Sequence, residues 1–443
     1  MKYFCYLLII CFFFAIILNH VSIFTIIQLL LGTIASLIVL RKSPLQENFG
    51  KYLVWGIIWI SIIFLPTFHL IQPIMSSYQE VGQLYNDKLI KFGAPLFAYS
   101  SCLLFFSTKI HIQQKHNAYL PMRISLRIIE LGLLLCITLT LFTITIGLGR
   151  MGGAEVVLPY HLSGIINIFR WTLVPSLFAI VVENFLMRHL KIPYYIWGLF
   201  ILWCLLEIIA WMSKSVFVYH ILPSMLVMYF AYKPKFVRII KVAMPVLLFS
   251  LFLYPIMEIA RNEDVRDSSF VEIFQDASKE SARDESVNPL AKPMNRTFMF
   301  GAQFVQNYSV LNFDDIFDFS KVPILYSFGG AARYQTVYID GYPYDARHSS
   351  GTSGLMDALL HGGIGLVYVI IALLFIMAMF VDKLLIKGCY AASVILLLRL
   401  FDFVAMQNIS SLYDSSGLQT ILIEMFCIYY AYKINYRISN RIY

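Results

Sequence analysis

Residues 345–381 read DARHSSGTSGLMDALLHGGIGLVYVIIALLFIMAMFV. The second part, residues 362–381, is an unbroken apolar run of the length that crosses a hydrocarbon core, roughly 20 residues at the rise of a helix. The part before it carries Arg347, His348, Asp357 and His361 among serines and glycines. Such groups lose hydration at a lipid boundary, so they line a wet cavity or bind something charged. The stretch therefore implies a spanning helix with chemistry at one end.

The rest of the chain agrees with the first half of that reading. Of its 443 residues, 59% are hydrophobic and 14% charged, an apolar share beyond that of soluble globular chains. About 12 runs have spanning length and composition: near 3–18, 21–40, 52–71, 89–107, 128–148, 169–187, 194–212, 216–232, 242–259, 362–381, 389–406 and 418–432. The first of them is read as an uncleaved helix, since no small-x-small cleavage pattern follows it. The fold class is an all-α polytopic membrane protein. It divides into an N-terminal bundle (1–259), one large hydrophilic loop (260–354) and a C-terminal group of helices (355–443).

The net charge of +8 is an orientation signal here and not a nucleic-acid signal. Lys and Arg gather in alternate loops, with Arg41, Lys109, Arg123, Arg188, Lys233, Lys383 and Arg437 among them. Basic loops stay on the cytoplasmic side, which places both termini inside and the large loop outside. That loop begins very polar and becomes aromatic after Asn295, a pattern that suits short amphipathic helices on a membrane surface. The seven cysteines lie in or beside apolar runs without metal-ligand spacing, so neither a zinc site nor a disulfide framework is expected. GLGRMG at 147–152 spaces its glycines as a dinucleotide loop does, but it follows a membrane helix and not a strand, and it reads as a turn.

Ionisable residues inside spans are costly, so their placement is informative. Arg399 and Asp402, three residues apart, share a helical face and can neutralise each other. Glu207 and Lys214 share a face seven residues apart, while Glu130, Glu183, Glu258 and Glu424 lie near span ends, from which they are expected to reach water. Lys214 stands out as the sole basic residue of a tight outward turn, MSKSVFVY, against the charge bias of that side. Arg261, Arg296, Arg333 and Arg347 extend the cationic set along the same side. Arginine forks match phosphate oxygens with paired bonds and lysine supplies a point charge, so a diphosphate headgroup suits them together. The competing reading is that loop arginines pair with loop carboxylates, most readily Arg266 and Arg283. His348 adjoins these cations, and Asp357 and His361 face the same way at four-residue spacing. The glycines at 351, 354, 362, 363 and 365 allow bending and close backbone approach.

The run HSSGTSGLMDALLHGGIG (348–365) and the turn MSKS (212–215), with Arg261 further on and one long outward loop in the second half, resemble the Wzy-type oligosaccharide repeat-unit polymerases and the related O-antigen ligases of bacterial inner membranes. Lys214 stands where arginine is usual, Ser349 where asparagine is frequent, and Asp357 where glutamate often sits. The resemblance implies an architecture like that of C-type glycosyltransferases, with the large loop periplasmic. It implies undecaprenyl-diphosphate-linked oligosaccharides as substrates, membrane lipid as surroundings, and a chain-length regulator as a partner that the sequence leaves open. No cofactor, metal or nucleic acid enters, because a lipid diphosphate is already an activated leaving group. Under it, Lys214 and Arg261 hold the diphosphate with Arg296 or Arg347. His348 joins Arg261 as the catalytic pair, either activating the acceptor hydroxyl or binding phosphate, while Asp357, His361 and Arg333 position substrate. A lipid-linked oligosaccharide flippase and an O-antigen ligase are the alternatives.

Overall fold

The computed structural model of the chain describes residues 23–43, 47–59, 79–109, 125–146, 158–159, 162–211, 216–232, 315–320, 354–405 and 422–430, with single positions 244, 248, 322, 334 and 432. Among these the regular structure is helical, without a strand. That is the expected outcome for apolar runs whose backbone groups find no water and must bond within their own segment. The helices are α1 Ile23–Lys42, α2 Phe49–Trp59, α3 Gln79–Lys109, α4 Leu126–Ile146, α5 Leu162–Met187, α6 Tyr194–Trp211, α7 Leu222–Tyr232, α8 Gly354–Ile386 and α9 Tyr390–Ala405. Five of them, α1, α4, α5, α6 and α8, are long and apolar enough to cross a membrane. The expected spans at 3–18 and 242–259 lie outside the described residues, apart from positions 244 and 248.

On α4, Ile128, Leu131, Leu135 and Phe142 are exposed, while Thr140 and Thr143 are buried beside Ile129, Leu133 and Cys136. In water a helix keeps its apolar residues to the buried stripe. An apolar outer face with threonines turned between helices suits hydrocarbon, where polar side chains find partners only between helices. With the five helices of spanning length, this points to a helical membrane protein.

Two compact units form. The first takes in α1, α2, α3, residues 315–320 and α8 as far as Lys383. In it α1 lies along α3 at Gly32, where an added Cβ would stand 2.7 Å from the Phe97 ring, so glycine sets that helix separation. Trp55 of α2 donates its indole N–H to Ser101 of α3 at 2.9 Å. The Tyr52 hydroxyl reaches the carbonyls of Val39 and Ser43 at 3.2 Å each. Buried Asp382 accepts from Gly50 N at 2.6 Å and lies 3.6 Å from the Lys51 ammonium. A carboxylate there takes up amides left unpaired at the start of α2 and complements its dipole.

The second unit holds α4 to α7, the start of α9 and residues 422–430. Here α4 packs on α6 and α5 on α7, with the Phe178 and Phe200 rings stacked at 3.9 Å between α5 and α6. Helix α5 contains a π-turn at Phe169–Leu173, and a second one, Phe217–Ile221, precedes α7. Glu183 departs from its expected reach toward water. It is fully buried and accepts from Tyr390 N and Ala391 N at 2.9 Å each and from the Tyr432 hydroxyl. Its oxygens take up the first amides of α9, as those of Asp382 do at α2. Glu424, also expected at a wet end, is 5% exposed.

Candidate functional site

Six of the eight residues singled out from the sequence, Lys214, Arg261, Arg296, Arg333, Arg347 and His348, lie outside the described residues. The other two, Asp357 and His361, stand on the first leg of α8. This helix begins at Gly354 rather than at 362, so the pair is part of it.

Helix α8 is broken at Gly362 (φ −158°, ψ 22°) and Gly363 (φ 68°, ψ −170°). The Gly363 values are open essentially to glycine alone, since a Cβ would collide with its own backbone. A break leaves polar backbone groups without their helical partners, and in a membrane these must be satisfied by protein. Residues 315–320, part of the large hydrophilic loop, do this. Gly365 N donates to Ile316 O at 2.7 Å, and Asp318 N donates to Gly362 O at 3.4 Å. The fit is close: an added Cβ at Gly365 would lie 2.8 Å from the Phe317 ring, and one at Gly363 would lie 2.9 Å from Ile316 O. The strap is turned by its own side chain, with Ser320 N donating to Asp318 Oδ1 at 2.8 Å.

One turn before the break, His361 Nδ1 lies 3.0 Å from Asp357 Oδ1 and 2.9 Å from the Asp357 carbonyl oxygen. The carbonyl oxygen is an acceptor, so Nδ1 carries a hydrogen, and in the neutral ring Nε2 keeps its lone pair. The Asp357 side chain is fully buried, whereas that of His361 is 16% exposed. An imidazole held from behind by a carboxylate, and itself partly open, is equipped to accept a proton from a hydroxyl. Once protonated, the same nitrogen donates to an oxyanion.

A second polar centre, in the other unit, escapes the sequence reading. Glu207 shares a helical face with Lys214 in the sequence, but the structure gives it Arg170 as partner. Arg170 Nε donates to Glu207 Oε1 at 2.6 Å and Nη2 to Oε2 at 2.7 Å. Thr140 and Trp203 donate to Oε1 at 2.7 and 2.8 Å, and Arg170 Nη1 donates to Thr143 Oγ1 at 2.8 Å. Arg170 and Glu207 are both fully buried. Forked guanidinium and carboxylate match in shape, and the threonines and indole take remaining valences. The arrangement joins α4, α5 and α6 and leaves no charge for a ligand. Its sequence signal was an arginine at the second position of an apolar run paired with an acid inside the next run. For Arg399 and Asp402 the question stays with the sequence, as the Asp402 side chain lies outside the described residues.

Among the described residues no group of three or more His, Cys, Asp or Glu could hold a metal. The fold and these centres define a helical membrane protein with an oriented histidine on a broken helix. No family model, curated protein or solved structure matches the chain.

Proposed function

We propose that the chain is a polymerase of undecaprenyl-diphosphate-linked oligosaccharide repeat units, acting at the outer face of a bacterial inner membrane. The observation that supports this reading best is the Asp357–His361 pair on the leg of α8 that meets the hydrophilic loop. In this reading about 12 spans cross the membrane by the length rule, both termini are cytoplasmic, and residues 260–354 are periplasmic.

The reaction is glycosyl transfer. A hydroxyl oxygen of one unit bonds to the anomeric carbon of the growing chain, and the bond from that carbon to the lipid diphosphate breaks. The electron pair leaves with the diphosphate, and the hydroxyl proton passes to a base. In this reading His361 Nε2 is the base, with Asp357 fixing its tautomer, in place of the positioning role the resemblance implied for it, and His348 keeps the phosphate-binding one of its two expected roles. Lys214 and Arg261, with Arg296 or Arg347, balance charge that grows on the leaving group, while Arg333 positions the glycan. A preorganised donor of that kind contributes about 3–4 kcal/mol to the barrier. Since the leaving group is already activated, the chemistry calls for no nucleotide.

One observation favours the flippase alternative: a cation, Arg170, stands inside a span. Its forked pairing with Glu207 argues against a grip on a passing diphosphate. The glycan profile of a deletion strain separates the candidates. A single-repeat product supports the polymerase, unlinked polymer with bare lipid A core points to a ligase, and inward accumulation of lipid-linked units points to a flippase. In the same strain, an Arg261→Ala chain is expected to accumulate to normal level and fail to elongate. Long-chain product from that variant would refute the assigned role.

A further inference from the structure

The two π-turns of the second unit meet through Trp171 and His220, whose rings are 5.1 Å apart and nearly perpendicular. A π-turn inserts a residue that α-helical bonding cannot accommodate, and such bulges are frequent at functional sites. Trp211, at the end of α6, meets Trp171 at 4.7 Å, and Trp203 meets His220 at 4.7 Å. Around these contacts hydrogen-bonding atoms are buried without partners: Nε1 of Trp171, Nε1 of Trp211, both ring nitrogens of His220, Oγ of Ser224 and Oδ1 of Asn167. Asn167 stands about a turn before Trp171, and Ser224 about a turn after His220, so the atoms extend the same two faces.

Buried polar groups that find no partner cost free energy, and native proteins hold few of them. Six such atoms lie on α5, at the end of α6 and along the turns that open α7. The neighbouring Glu207 shows that the same helices satisfy polar atoms where the fold requires it, for Trp203 donates to Glu207 with its indole N–H while its ring faces His220. The orphaned atoms can therefore take hydrogen bonds from another molecule. Their chemistry narrows which one. Indole N–H groups donate, an amide oxygen accepts, and hydroxyl and imidazole do both. The walls are aromatic, from Trp171, Trp203, Trp211 and Tyr219. The nearby charges, Arg170 and Glu207, cancel each other. Neutral donors and acceptors on amphipathic rings fit a ligand with hydroxyl groups and apolar C–H faces, which is a sugar.

The charge pattern of the loops puts the start of α5, the end of α6 and the start of α7 on the outward side. Trp211 and His220 flank, in sequence, the turn that carries Lys214. We propose that Trp171, Trp211, His220 and Ser224 form a sugar-hydroxyl subsite at the paired π-turns, which receives the glycan beside the diphosphate. The membrane side rests on the loop charges and the diphosphate on the polymerase reading; the hydroxyl chemistry rests on the cluster alone.

The test is calorimetric titration of the full chain in nanodiscs with the repeat-unit oligosaccharide, freed from its lipid diphosphate by mild acid. Wild type, Trp211→Phe and Ser224→Ala are compared, and farnesyl diphosphate serves as a probe with diphosphate and no sugar. We expect saturable oligosaccharide binding by wild type, weakened at least ten-fold in both variants, with farnesyl diphosphate affinity unchanged within two-fold. No binding by wild type, equal binding by the variants, or parallel loss of both probes overturns the subsite. Should Trp211→Phe fail to fold, Ser224→Ala decides. Elongation of lipid-linked units by wild type alongside absent oligosaccharide binding sinks the subsite and spares the polymerase. Variant-sensitive oligosaccharide binding without elongation sinks the polymerase and upholds the subsite.

Discussion

At Glu207, donors from Arg170, Thr140 and Trp203 converge on one carboxylate, and the guanidinium that brings two of the four is itself completed by Thr143. At His361 one ring nitrogen is held by Asp357, the ring is partly open, and the next two residues leave the helical backbone. Each region places titratable groups in an apolar helix, yet they use charge in opposite ways. Saturated valences resist change, and they tie three helices together. A half-held imidazole on an irregular backbone has capacity left for a reaction. In a membrane, the presence of a charge is thus less informative than whether its hydrogen bonds are already used.

This contrast is open to test at both ends. The largest effect is expected at His361. His361→Gln, which removes the base and keeps an N–H donor for the buried Asp357 carboxyl, should lower elongation by about 10²–10⁴-fold, the usual worth of a general base, while thermal unfolding in detergent stays near wild type. Lost stability with retained turnover would make the histidine structural. At the other centre the pattern should invert. Glu207→Ala strands a buried guanidinium and should cost about 3–5 kcal/mol, read as a lower unfolding transition or lost yield. An Arg170→Met, Glu207→Met double variant should regain most of that, because a buried pair is replaced by apolar groups of similar bulk. If the single variant folds normally, the pair is not the tie described above.

A smaller effect belongs to the break in α8. Gly363→Val forces a β-branched side chain into a glycine conformation and toward Ile316 O, at a cost of about 1–3 kcal/mol. It should speed hydrogen exchange at the Asp318 and Gly365 amides, and unchanged exchange would mean that the strap is held elsewhere. The smallest effect is expected at the start of α2. Tyr52→Phe removes a hydroxyl held by the carbonyls of Val39 and Ser43 and should lower stability by about 0.5–1.5 kcal/mol in thermal unfolding. A loss several times larger would show that this contact ties α2 to α1 more firmly than one hydrogen bond does.

The sequence displays some of these features and conceals others, for physical reasons. Helix and membrane are visible because apolar runs of spanning length have few other fates. The Asp357–His361 contact is visible because residues four apart meet on any helix. The glycines at 362, 363 and 365 announce a bend, though not that residues 315–320 would complete its hydrogen bonds, since that pairing is far in sequence. Glu183 is misread for the same reason. Near a span end it looks ready to reach water, but its partners are the amides of Tyr390 and Ala391. Arg170 hides at the edge of an apolar run, where arginine ordinarily means a loop. The π-turns leave no trace in hydrophobic periodicity, because five residues are too few to shift it. They become visible only when hydrogen bonds are followed one by one.

The central claim, that the chain joins lipid-diphosphate-linked repeat units, is tested most directly by reconstitution. Purified wild-type protein in liposomes, supplied with undecaprenyl-diphosphate-linked repeat units and no nucleotide, should yield a ladder of products differing by one repeat. A faithful reconstitution that binds those lipids and returns only the single unit would contradict it.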